Sequence, residues 1–138
     1  MDFQKSIVIN KCYGGFSLSY KGVMHYAKLK GIRLYAFTAS GFPSKFTPHV
    51  PGENPYLIHY STKPLNEKGQ IPDKAYFSDR AIERDDPFLV QTVKELGSEA
   101  ASGSCAELTI VQVPVEVKWQ IEEYDGNEHI AEEHRTWS

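Results

Sequence analysis

The chain has 138 residues, 41% apolar and 24% charged, and a net charge of −3. That is the size of one ordinary domain, spanning 1–138, with enough apolar content for a single core, which argues against disorder. No apolar run approaches the ~20 residues that a membrane span needs. The opening residues lack the basic-then-apolar pattern of a secretory leader. The only two cysteines, Cys12 and Cys105, are too few for a disulfide framework, and there is no C-x-x-C. They read as reduced thiols in a cytoplasmic protein.

The charge is unevenly spread. Residues 1–75 carry ten Lys/Arg against four Asp/Glu, whereas residues 119–138 carry one against six. The basic residues are scattered singly, without the concentrated face that duplex nucleic acid requires, so duplex binding is not expected.

In chain order, residues 6–12 (SIVINKC) read as a strand. After YGGF, Ser17 and Ser19 are N-cap residues for a helix over 20–30, which ends at Gly31. Residues 32–38 (IRLYAFT) form a second strand, with Ile32, Leu34 and Ala36 on one side. Residues 39–54, with two Gly, three Pro and His49, read as a long loop with His49 exposed. A third strand follows over 56–62, then a polar loop over 63–75 and a short YFS segment. The sequence DDPFLVQTVKELG carries the clearest helix signals: Asp85 or Asp86 as cap, Pro87 in the first turn and Gly97 as stop. Residues 105–113 read as a strand closed by Pro114. Asp125-Gly126, between two alternating runs, predicts a hairpin. The expected architecture is α+β: a single mixed sheet of about six strands, with two helices packed mainly on one face. Ile9, Leu34, Ile58, Ile110 and Trp119 would be buried beneath those helices.

Three constellations could carry chemistry. The first is the strand–YGGFS–helix junction. Gly14 and Gly15 let a ligand approach the backbone at a helix N-terminus, where free N–H groups favour anions. Lys11 lies beside them, Ser17 closes the segment, and Tyr13 and Phe16 could hold a flat ring. No GK[ST] follows the glycines, so this is not a P-loop. The alternative is a tight turn with packed aromatics. The second constellation is a pair of H-x-[ST] triplets, His59–Ser61 and His134–Thr136, which resembles the signature of two-histidine phosphoesterases. There one imidazole is general base and the other general acid, and the hydroxyl two residues on faces the same side of the strand. Arg135 breaks the apolar middle position of that pattern. The third is HRTWS, with Arg135 for a phosphate and Trp137 for a base. It needs partners from elsewhere, with His59, Lys63, Arg80 and Arg84 as candidates. No metal-ligand spacing and no cofactor motif is expected.

Taken together, INKCYGGFSLS, IERDDPFLVQTVKELG and IEEYDGNEHIAEEHRTW resemble a family of small proteins found in bacteriophage genomes and prophages. The match runs from Ile7 to Trp137. The resemblance implies an accessory protein acting in the host bacterial cytoplasm. By analogy it suggests a sponge that sequesters a cyclic nucleotide or ADP-ribose-like immune signal, with a homo-oligomer enclosing the ligand. On that reading the chain is a binder rather than an enzyme. Its ligand residues would be Lys11, Tyr13, Gly14, Gly15, Phe16, Ser17, His59, Lys63, His134, Arg135 and Trp137. The enzymatic alternative uses His59, Ser61, His134 and Thr136 on a phosphodiester, and a third reading is a protein-binding inhibitor of a host factor.

Overall fold

The structure is a computed structural model in which residues 4–41, 45–53, 55 and 57–133 are described. Strand β1 (Gln4–Asn10) leads through a nine-residue elbow into helix α1 (Tyr20–Lys30). Four short strands follow: β2 (Tyr35–Ser40), β3 (Lys45–Pro48), β4 (His59–Ser61) and β5 (Tyr76–Phe77). A 3-10 turn (Asp79–Ala81) then leads to α2 (Pro87–Leu96), α3 (Ser98–Ala101), β6 (Leu108–Pro114), β7 (Trp119–Tyr124) and β8 (Asn127–Glu132).

The fold is α+β, as expected, but the single mixed sheet is corrected. Among the described residues the strands form three sheets, β1–β6, β3–β2–β4–β5 and β7–β8, and every pair is antiparallel. The middle strands are too short to bridge to the others and pair with near neighbours in sequence. β1 instead finds β6 across most of the chain, with Gln4 opposite Pro114 and Asn10 opposite Leu108.

The β1–β6 ribbon is the middle layer of the molecule. Because successive strand side chains point to opposite faces, Val8 enters the helical core with Val23, Tyr26, Leu89, Val93 and Leu108. Ile7 and Ile9 point the other way and pack with Val113 against Trp119, Ile121 and Ile130 of the β7–β8 hairpin. A third cluster, built on Phe37, Ile71 and Ala75, fills the four-stranded sheet. The expectation of one buried face is therefore corrected. Leu34 and Ile110 belong to the helical core, Ile9 and Trp119 to the hairpin core, and Ile58, Ile110 and Trp119 are only half-buried.

Local signals explain the helix ends. Ser19 Oγ accepts from the Gly22 amide at 2.9 Å and caps α1. Gly31 (φ +79°) ends the helix: its amide bonds Lys28 O and that of Ile32 bonds Ala27 O. This paired closure uses the residues after α1 to satisfy the helix, so β2 starts at Tyr35 rather than at Ile32. Asp86 caps α2, accepting from Phe88 N at 2.8 Å. Three further expectations change. Residues 39–54 contain strand β3, the third strand shrinks to His59–Ser61, and His49 is buried (9% exposed) with its ring edge-on to Tyr20 at 4.7 Å.

Candidate ligand groove at the glycine elbow

The elbow begins at Asn10, which is fully buried. Its side-chain oxygen accepts from Cys12 N (3.2 Å) and Glu107 N (2.8 Å), and its amide nitrogen donates to Cys12 O (2.7 Å) and Gly126 O (2.8 Å). One side chain thus ties the end of β1, the approach to β6 and the β7–β8 turn together. The chain then takes two left-handed residues in succession, Gly14 (φ +123°) and Gly15 (φ +100°). Gly14 N donates to Asp125 O at 2.9 Å. A Cβ on Gly14 would lie 2.8 Å from Cys105 Cβ, so glycine is required by space as well as by φ. The Gly15 amide has no hydrogen-bond partner among the described residues.

Phe16 is buried (4% exposed), and the Arg84 guanidinium lies over its ring, 3.8 Å from the centroid. Arg84 also makes a bidentate pair with Glu128, at 2.5 and 2.9 Å. Glu128 is itself buried and accepts from Asn10 N at 2.8 Å. Such a fork matches carboxylate geometry and needs this many donors to be tolerated when desolvated.

These groups wall an open groove of about 560 Å³. Gly14, Gly15 and Phe16 form one side, Arg80 and Arg84 another, and Glu123, Asp125, Gly126 and Glu128 of the hairpin the third. Arg84 and Glu128 neutralise each other. The charges left are Arg80, Glu123 and Asp125, whose side chains have no ion-pair or hydrogen-bond partner among the described residues. A methyl group placed on Gly15 would lie 4.0 Å from Arg80 Nη2, so that guanidinium reaches toward the elbow. Tyr13 (62% exposed) and Tyr124 (74% exposed), the sequence neighbours of Gly14 and Asp125, meet edge-to-face outside the lining, with ring centroids 6.5 Å apart.

The residues expected from sequence separate into groups. Gly14, Gly15 and Phe16 line the groove, whereas Tyr13 is exposed beside Tyr124 and is not part of the lining. Ser17 does not line it: its carbonyl accepts from Gly103 N, against which it packs. Lys11 reaches Glu128 O at 3.3 Å and braces the hairpin. His59 and Ser61 belong to the four-stranded sheet and Lys63 to the turn after it, instead of the groove. The His59 ring sits edge-on to Phe46 at 5.2 Å. Buried Ser61 Oγ donates to Lys63 O (2.6 Å) and accepts from Lys63 N (3.1 Å), so its hydroxyl is committed to a turn. His134, Arg135, Thr136 and Trp137 lie outside the described residues, and with them the second half of the two-histidine pair and the HRTWS kit. Among the described residues no group of three metal-ligating side chains converges.

Sequence reasoning missed Asn10, Glu123, Asp125 and Glu128 as site residues. No family model, curated protein or solved structure matches the chain.

Proposed function

We propose that this chain is a binding protein for a small nucleotide-type ligand held in the groove at Gly14–Gly15. The observation that carries this reading is the pairing of two unsatisfied donors, the Gly15 amide and the Arg80 guanidinium, on one groove. A phosphate there gains charge-assisted hydrogen bonds worth about 1.5–3 kcal/mol each. The exposed rings of Tyr13 and Tyr124, neighbours of Gly14 and Asp125 in sequence, are available to stack on a base. The lining contains no histidine, serine or cysteine; its only acid–base groups are the carboxylates of Glu123, Asp125 and Glu128, the last held by Arg84. The resemblance to phage accessory proteins extends the reading to a counter-defence sponge in the host cytoplasm, with a second copy closing the open side.

The test is retention. The purified protein is incubated with a panel of mononucleotides, cyclic nucleotides and ADP-ribose, separated from free ligand, then heated. Intact nucleotide in the supernatant is the expected result, and Arg80→Ala should weaken retention about tenfold or more. Chemically altered products would replace this reading with a phosphodiesterase using His59 and His134. Neither retention nor turnover would overturn it in favour of a protein-binding inhibitor.

A further inference from the structure

We infer that the ligand's base presents a guanine-type donor edge, read by the carboxylates of Glu123 and Asp125. The inference rests on the groove reading above and narrows it. Once Arg84 and Glu128 have neutralised each other, the groove holds one free cation and two free carboxylates. A ligand bearing several phosphates meets more repulsion than attraction there. A ligand with one anionic group and one donor-rich edge satisfies both signs.

The position of Glu123 adds to this. It lies directly opposite Glu128 in the β7–β8 register, on the same face of the hairpin. Like charges directly opposite each other destabilise a strand pair. Glu128 has Arg84 and the Asn10 amide to hold it, whereas Glu123 has no partner among the described residues. Glu123 is exposed on the groove side of the hairpin, so its carboxylate is free to accept from a ligand. Asp125 stands at the turn beside it, its φ of +49° fixed by the tight hairpin.

Among the bases, guanine alone offers a ring N–H and an exocyclic amino group side by side, and a carboxylate accepts both as a fork. Adenine sets its amino group beside an acceptor nitrogen, which faces a carboxylate unfavourably. Cytosine does the same, and uracil flanks its single N–H with two acceptors.

The experiment is calorimetric titration of the intact protein with GMP and with AMP, which differ only in the base. GMP should bind about tenfold or more tightly. In the double variant E123Q/D125N, which removes the charge and one acceptor at each site, the two should bind within about twofold of each other. Asn tolerates the left-handed backbone at 125, and circular dichroism checks that the variant folds. Arg80→Ala should weaken both nucleotides alike. Equal binding of GMP and AMP by the wild type would overturn the guanine inference and leave the groove reading standing. A GMP preference that survives in the double variant would overturn the role of the two carboxylates. Binding of neither nucleotide would overturn the guanine inference, and the groove reading would then be decided by the retention panel.

Discussion

Gly126 is the residue on which the site turns. It follows Asp125 in a tight hairpin in which both central residues have positive φ (+49° and +89°), as a two-residue turn matching the strand twist requires. It also lies against the elbow: a Cβ there would overlap the Gly15 nitrogen and come within 2.8 Å of Gly14 N and Gly15 Cα. All three atoms are backbone, with no flexible side chain to give way. Gly31 is the matched control, since its φ is also positive (+79°) but nothing lies within 4 Å of its Cβ position. Gly31→Ala should therefore cost only the left-handed backbone penalty, about 1–2 kcal/mol. Gly126→Ala should cost that plus an overpacking term of about 1–3 kcal/mol. Urea denaturation of the two variants measures the difference, and equal midpoints would show that the hairpin turn does not press on the elbow.

The hairpin and the elbow are also joined as elements. Among the described residues the hairpin shares no strand pairing with β1, so its docking rests on the apolar contact of Trp119, Ile121 and Ile130 with Ile7, Ile9 and Val113, on Glu128, and on the bonds from Asn10 and Gly14 to its turn and from Lys11 to Glu128 O. Glu128→Ala would leave Arg84 half-buried without its carboxylate and the buried Asn10 amide without an acceptor. Breaking a buried pair in this way costs about 3–5 kcal/mol. The loss should be local. Amide hydrogen exchange over 119–132 is expected to accelerate while α1 and α2 keep their protection, because their contacts lie on the other face of β1. Uniform acceleration across the chain would mean that Glu128 supports the whole core. The parts of this design visible in the sequence were the local ones. Asp86, Pro87 and Gly97 mark α2, Asp125-Gly126 marks the hairpin, and Gly14-Gly15 marks the elbow, each through its own backbone chemistry. β3 was hidden by flanking prolines and β4 by its three-residue length. The Arg84–Glu128 fork joins residues 44 apart, and the Asn10–Glu128 bond joins residues 118 apart. No sequence pattern announces such pairings, because they are decided by which layers stack.

At the scale of the whole molecule, two lysines of the basic N-terminal half reach the acidic hairpin without meeting a carboxylate: Lys5 sits over the Trp119 ring at 5.8 Å and Lys11 bonds the backbone carbonyl of Glu128. The join between the helical layer and the four-stranded sheet is instead made by neutral tyrosines. Tyr26 is buried between α1 and α2, donating to Asp86 Oδ2 (2.7 Å) and accepting from Lys30 Nζ (3.1 Å), and Phe77 of β5 lies 6.1 Å from its ring. Tyr60 of β4 packs against the same core. Burial, reinforced by the hydrogen bond to Asp86, raises the Tyr26 hydroxyl above its ordinary 10.0. Burial, then the charges of Asp79 and Tyr20, raises Tyr60 strongly. Lys30 is raised as well, chiefly by its hydrogen bond to Tyr26. All three folded-state values lie above the unfolded ones, so the native state holds protons that the unfolded chain has released. The associated stability is complete below about pH 10 and is lost as pH rises beyond it. Tyr60→Phe isolates one contributor, because the Tyr60 hydroxyl makes no hydrogen bond among the described residues. At pH 7 the variant should lie within about 1 kcal/mol of wild type. Between pH 9.5 and 11 its urea midpoint should fall less steeply than that of wild type. Superimposable alkaline limbs would mean that Tyr60 ionises equally in both states, and that the junction between the two layers is open to water where the structure closes it.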